Sequence, residues 1–277
     1  MLNMKITRLM KSMQNYDNPL KFLVGIFLIK LRVSYFFKIK MNGYVLNFYP
    51  TSLSLALWIN PHARKDDELF FERYLRANDN VIDVGANIGS LALRAASIVK
   101  SGRVFAVEPH PQISKYLAEN VKANRFSNIE CFNCIAGDET RLRGFSDIRS
   151  DDQNSVVINQ NSIKIQQQRI DDFIDSGLEF SLVKIDVEGY EKFVILGAKK
   201  VLQKTKCIYF EASDNLYKNY KCTFHDIFTL ITSLGFEIFR IEDNRIIKIS
   251  NEYSPSGENL LAIKDIVEFL DRTKLTL

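Results

Sequence analysis

From about residue 69 onward, short apolar runs alternate with longer segments whose hydrophobic residues recur every three or four positions. NVIDVG (80–85), GRVFAVE (102–108), NIECFNCIAG (128–137), SLVKIDVEG (181–189) and KCIYFEAS (206–213) are near-continuous hydrophobic runs of strand length. Such runs mark strands buried on both faces. The intervening segments 88–99, 111–124, 190–202 and 223–234 carry the helical period. FEIFRIED (236–243), a tail strand pair and 259–263 close the chain. This order predicts an α/β fold, a mostly parallel seven-stranded sheet with helices on both faces, built from right-handed crossovers.

Two stretches break the rhythm. Residues 138–180 hold the polar run SDDQNS (150–155) and then the alternating segments SVVI and SIKIQQQ, which predict an inserted loop and hairpin near the mouth of a site. Residues 42–68, with NGYVLNFYP (42–50), predict a small strand-and-helix cap. The expected plan is an arm over 1–41, the cap over 42–68 and a core over 69–277.

Candidate chemistry is concentrated at the strand ends. In VIDVGANIG (81–89) a hydrophobic strand runs through Asp83 and Val84 into a glycine turn, and a helix begins near Ile88. Gly85 permits backbone geometry closed to other residues, Asn87 lies in the turn, and Gly89 allows close approach of a ligand. The amides at the helix start are expected to be open to the crevice at the carboxyl ends of the strands. The spacing is G-x-x-x-G, whereas a dinucleotide site calls for G-x-G-x-x-G. S-adenosylmethionine carries no phosphate, and the acid Asp83 suits its ammonium better than it suits a phosphate. Glu108 ends the next strand in FAVEPHP, where a carboxylate can accept hydrogen bonds from both ribose hydroxyls. Asp138, after the third strand, is a candidate for the adenine amino group, and His110 for the border of its pocket.

DVGANIG (83–89), VEPHP (107–111), RIDDF (169–173), KIDVEGYE (184–191) and LGAKKVL (196–202) together resemble the FkbM-type methyltransferases, from about Phe70 to Gly235. The resemblance implies a Rossmann-like class I methyltransferase fold, S-adenosylmethionine as methyl donor, and usually O-methylation, often of a sugar or glycan precursor. It does not cover residues 1–60.

Methyl transfer to an alcohol calls for a positioned general base. On an extended strand Lys184, Asp186 and Glu188 share one face at the carboxyl end of a buried run, and charges there are costly unless paired or facing a cleft. Asp186 is the first candidate for base or acceptor orientation and Glu188 the second. The alternative has Lys184 paired with a carboxylate and Glu188 capping the following helix. Glu211, ending the next strand, is a further candidate for the crevice wall. His225 reads as a surface or packing residue, and no metal is expected, because no convincing second and third ligand accompanies Asp186.

Composition narrows the partners. A chain of 277 residues with 46% hydrophobic and 25% charged residues is that of a globular protein with one sizeable core. Residues 1–41 carry Lys5, Arg8, Lys11, Lys21, Lys30, Arg32, Lys38 and Lys40 against Asp17 alone, a balance of +7; since the whole chain is +4, the remainder is −3. A mildly acidic body does not suit nucleic-acid binding, nor does the DVEGY turn, which lacks the prolines of base-methylating enzymes. The apolar run Phe22 to Ile29 is too short to span a bilayer and starts too late for a signal peptide. Residues 20–40 are expected either to make peripheral membrane contact or to pack on the domain or a second subunit. Cys131, Cys134, Cys207 and Cys222 read as reduced thiols rather than zinc ligands, which suggests the cytosol. A small-molecule or glycan acceptor is expected. A non-catalytic cofactor-binding scaffold and a methyltransferase acting on protein are the competing readings.

Overall fold

The computed structural model describes residues 18–147, 154–157 and 162–277. The N-terminal layer runs α1 (Pro19–Lys30), a 3-10 turn (Ser34–Phe36), β1 (Lys38–Lys40), β2 (Val45–Asn47), α2 (Ser52–Ile59) and α3 (Lys65–Tyr74). The core continues as β3 (Val81–Val84), α4 (Ser90–Ile98), β4 (Val104–Val107), α5 (Pro111–Asn124) and β5 (Ile129–Phe132). An inserted unit follows: β6 (Ile135–Ala136), β7 (Arg141–Phe145), β8 (Val156–Val157) and β9 (Ile163–Gln168). After it come α6 (Ile170–Phe173), β10 (Phe180–Ile185), α7 (Glu191–Gly197), α8 (Lys199–Gln203), β11 (Thr205–Ser213), α9 (Asp214–Tyr217) and α10 (Phe224–Ser233). The chain closes with β12 (Glu237–Glu242), β13 (Arg245–Lys248), β14 (Ser256–Ile263) and α11 (Ile266–Thr273).

The main sheet has the order β13-β12-β14-β11-β10-β3-β4-β5. Strands β5, β4, β3, β10 and β11 are parallel, and β14 inserts antiparallel between β11 and β12. The seven expected strands are present, and β13 adds an eighth as a hairpin partner on the β12 edge. Strands β3, β4 and β10 are buried along their whole length, as their unbroken hydrophobic runs require. Their faces feed two large apolar clusters, one on each side of the sheet. This is the Rossmann-like α/β architecture the alternating pattern predicts.

Four local expectations need correction. NIECFNCIAG is not one strand: β5 pairs with β4, the chain bends at Asn133, and β6 joins a second, four-stranded sheet of order β6-β9-β7-β8. Asn133 holds the bend by donating from Nδ2 to the carbonyls of Glu108 (2.9 Å) and Pro109 (2.8 Å). The helix expected over 190–202 breaks at Ala198 into α7 and α8. There the Asp171 carboxylate of RIDDF accepts the Lys200 and Val201 amides, both at 3.0 Å, and caps α8. The boundary drawn at residue 41 falls inside the β1–β2 hairpin, in which Lys38 faces Asn47. In the insertion, SVVI and SIKIQQQ do not form a hairpin with each other: β7 lies between β8 and β9 and pairs antiparallel with both; part of SDDQNS and residues 1–17 of the arm lie outside the described residues.

The N-terminal layer is fastened to the core by side-chain amides. Asn120 of α5 accepts the Asn47 amide at 2.9 Å and donates to the Ile88 carbonyl at 2.8 Å, while Asn124 brackets Val45 from both sides. Among the described residues no helix is long and apolar enough to cross a membrane.

Candidate active site

A cleft of about 490 Å³ opens at the carboxyl ends of β3, β4, β10 and β11, within the size range of small-molecule sites. Its walls include Gly85, Asn87 and Glu108 from the first two strand ends, Asp186 to Glu188 after β10, and Glu211 of β11. Leu53 and Ala56 of α2 and Ala63 and Arg64 ahead of α3 close it from the N-terminal layer, and Phe145 and Val156 from the inserted sheet.

The glycine turn is tightly determined. Gly85 has φ +80, and a Cβ there would lie 1.8 Å from the Asp186 carbonyl oxygen. A Cβ on Gly89 (φ +91) would meet Leu117 Cδ1 at 2.5 Å. These two residues let the turn press on the β10 end and on α5. The amides of the turn itself are not open, however. The Gly85 and Ala86 N–H groups donate to the Val107 carbonyl, Asn87 N–H to Glu108 Oε2 (2.9 Å), Ile88 N–H to its neighbour Asn87 Oδ1 (2.7 Å), and Gly89 N–H to the Ala86 carbonyl. Glu108 also accepts the His110 amide on Oε1 at 2.8 Å. A phosphate brought here would find no free donor in the turn and a carboxylate beside it. The turn therefore fits a phosphate-free ligand and not a pyrophosphate.

Beneath the cleft lies a charge chain. Lys184 is 3% exposed, and its Nζ sits 3.0 Å from Asp83 Oδ1 and 3.4 Å from Asp186 Oδ2 while donating to the Gly85 carbonyl at 3.1 Å. Arg64 Nη2 lies 3.5 Å from the same Asp186 oxygen, and Arg64 Nε donates to Asp67 at 3.0 Å. Burial opposes the Lys184 charge, but Asp83 and Asp186 outweigh it and hold its pKa above the ordinary lysine value. Burial likewise pushes Asp186 up, yet Lys184 and Arg64 together hold its carboxyl below the usual range. Asp186 is thus an ionised, paired carboxylate.

Glu211 differs. Its Oε2 is buried without a hydrogen-bond partner, and burial, followed by the Asp186 charge, pushes its pKa up to about 7. Glu188 stands between them at φ +55, a left-handed conformation uncommon outside glycine. The turn that holds it is fixed by Glu191, whose Oε1 accepts the Val187 and Gly189 amides at 3.2 and 3.3 Å. One carboxylate oxygen from each of Asp186, Glu188 and Glu211 lies within 4.8 Å of the others, so among the described residues these three could together ligate a cation.

The candidates named from sequence are distributed as follows. Gly85, Asn87, Glu108, Asp186 and Glu188 line the cleft, as does Glu211. Lys184 and Asp83 lie under its floor and face each other, which is the pairing alternative for Lys184 and turns Asp83 away from a ligand's ammonium. Gly89 caps α4. Asp138 is outside the lining, with Oδ1 accepting from Gln167 at 3.2 Å; the same Gln167 accepts the Tyr190 hydroxyl, and Tyr190 does line the cleft. His110 caps α5 through Nδ1 and is not in the lining. The four cysteines are free thiols and, among the described residues, do not gather with His225 as a metal set. Arg64 was not legible: it comes from the cap, with only its i,i+3 partner Asp67 as a local signal.

Residues 83–238 match the Methyltransferase FkbM domain. The 2-O-methyltransferase NoeI of Sinorhizobium fredii is 28% identical over 155 residues, 48% of this chain and 63% of NoeI. The uncharacterized protein MJ1452 of Methanocaldococcus jannaschii is 42% identical over 59 residues, 21% of this chain and 22% of that protein. The chain therefore matches less than two thirds of the length of either curated relative. Among solved structures, M. jannaschii TYW2 in complex with AdoMet has a TM-score of 0.43 and 16% identity, covering 82% of this chain and 84% of that one. A SAM-dependent O-methyltransferase from Thermotoga maritima gives 0.43 and 14%, covering 73% and 65%.

Proposed function

This chain belongs to the FkbM methyltransferase family, and from that premise we propose that it transfers a methyl group from S-adenosylmethionine to a hydroxyl of a sugar or glycan precursor. The observation that carries the cofactor half is the turn at 85–89, with every amide satisfied internally and Glu108 beside it. That arrangement supports a cofactor of nucleoside type without phosphates. When bound, the cofactor supplies an electrophilic methyl on a sulfonium.

The protein's own residues do the rest. Glu108, oriented by two backbone amides at the end of β4, is placed to accept from the ribose hydroxyls. Asp186, Glu188 and Glu211 give the cleft a negative wall that suits a cationic donor. Asp186 is a poor base because Lys184 and Arg64 stabilise its charged form. Glu211 is the better one: its carboxyl reaches the cleft, lacks a partner on Oε2, and titrates close to neutral pH, where a general base works best. The reading therefore moves the proton acceptor from Asp186 to Glu211 and leaves Asp186 to orient the acceptor. The name of the NoeI relative supports a hydroxyl acceptor, and several carboxylates in one cleft can each accept from a sugar hydroxyl. The free, mostly buried thiols support a reducing compartment, the cytosol.

The test is turnover of S-adenosylmethionine against a panel of sugar and glycan acceptors, wild type against Glu211→Gln. With the active acceptor, kcat/KM should rise through about pH 7 in the wild type, and Glu211→Gln should lower it by about 10²–10⁴. A fully active Glu211→Gln enzyme removes that residue from the role. Binding of the cofactor with no turnover on any acceptor, protein included, would favour the scaffold reading.

A further inference from the structure

Helix α1 has two apolar faces. One is docked: Phe22 and Gly25 are buried, and a Cβ on Gly25 would lie 2.7 Å from Leu55 and 3.0 Å from Trp58 of α2. Lys21 Nζ donates to the Ile59 carbonyl, and the Trp58 indole donates to the Lys21 carbonyl, both at 3.3 Å. The other face points outward. Leu20 (72% exposed), Leu23, Val24, Phe27 (60%) and Leu31 follow one another at i, i+3, i+4, i+7 and i+11 and form a single stripe. Tyr35 and Phe36 (71%) extend it, both well exposed.

A helix of a globular domain presents a polar face to water, and this one does not. Its surroundings carry one sign of charge. From Asn18 to Lys65 the chain has no Asp or Glu, while Lys30, Arg32, Lys38 and Lys40, close to the stripe in sequence, are exposed. An exposed apolar stripe in a stretch whose charges are all cationic, with aromatic side chains among them, matches the interface of a bilayer whose headgroups are anionic. A symmetric pairing of two copies through the stripe would bring like-charged rims together, which disfavours it.

We propose that the outer face of α1, together with the Tyr35–Phe36 turn, docks this protein on an anionic membrane surface. The stripe enters the acyl boundary, Lys30, Arg32, Lys38 and Lys40 sit among the headgroups, and the inner face stays packed on α2. Leu53 and Ala56 of the same α2 line the catalytic cleft, so docking sets the cleft at a fixed height over the lipid. The docking itself does not depend on the reaction catalysed.

The test is co-sedimentation of the full-length protein with vesicles of phosphatidylcholine alone and of phosphatidylcholine with about 30 mol % phosphatidylglycerol. Binding should be at least about tenfold tighter to the anionic vesicles and should fall steeply when salt is raised to about 0.5 M. The double variant Phe27→Glu with Phe36→Glu should lose about tenfold or more, with an unchanged thermal midpoint because both side chains are solvent-exposed. No sedimentation of the wild type at millimolar lipid, or equal binding by the variant, overturns the proposal. So does a concentration-dependent dimer that the same variant disperses while vesicle binding is absent; the stripe would then belong to a second copy.

Discussion

Glu191 makes the stability of this protein depend on pH in an unusual direction. Its side chain is 1% exposed; one oxygen accepts two backbone amides, and the other is buried without a partner. Burial pushes its pKa from 4.5 up to about 8. The folded protein therefore keeps a proton that the unfolded chain gives up above about pH 4.3. For a group whose folded pKa is raised, the contribution is fully present below the unfolded pKa and is lost as pH rises through the folded one. A shift of that size, at about 1.4 kcal/mol per unit, corresponds to roughly 5 kcal/mol lost between about pH 4.5 and pH 8. In a chain of this size that is on the order of 10–20 °C in thermal midpoint. Glu191→Gln mimics the protonated form, because its amide oxygen still accepts from Val187 and Gly189. Thermal melts from pH 5 to 8.5 should give nearly coincident midpoints at pH 5 and a variant that is clearly more stable by pH 8. The slope left in the variant belongs to Glu211, whose pKa of about 7 acts in the same sense. Two melting curves that stay parallel across the range would refute the reasoning.

Lys184→Met should destabilise the protein by about 3–5 kcal/mol in denaturant titrations, since it leaves the buried Asp83 without its cation and the half-buried Asp186 with Arg64 alone. A loss below about 1 kcal/mol would mean that water reaches those carboxylates. Gly85→Ala drives a methyl group into the Asp186 carbonyl, so it should abolish binding of S-adenosylhomocysteine in calorimetry and lower the thermal midpoint; normal binding would show that the turn yields easily. Glu108→Ala should weaken S-adenosylmethionine and S-adenosylhomocysteine by at least about tenfold by removing charge-assisted hydrogen bonds, with NAD binding neither protein. Unchanged affinity in that variant would detach Glu108 from the ribose.

The strand-end chemistry was legible because it is local. A glycine after VIDV and an acid after VFAV sit where a parallel sheet puts its ligand, whatever else the chain does. Long-range contacts decided the rest. The bend at Asn133 depends on carbonyls from the Glu108 loop, and the break at Ala198 on a cap from Asp171. On an extended strand Lys184, Asp186 and Glu188 share one face, with Asp186 the first candidate. In the fold, Lys184 is drawn under the floor by Asp83, Asp186 is held ionised by Lys184 and by Arg64 from the distant cap, and Glu188 has already left the strand. No spacing within KIDVEG could have revealed which carboxylate would be left to titrate near neutrality.

The closed turn at 85–89 also bears on competition in a living cell. Adenine nucleotides carrying phosphates share the adenosine moiety with the proposed cofactor. A loop of free amides would trap them and leave the enzyme inhibited for most of its life. Here any such rival must lose the hydration of its phosphates, gain no amide from the turn in return and lie against Glu108. Discrimination of this kind needs no added residue that repels the wrong ligand: the same hydrogen bonds that build the turn withhold the donors a phosphate would need.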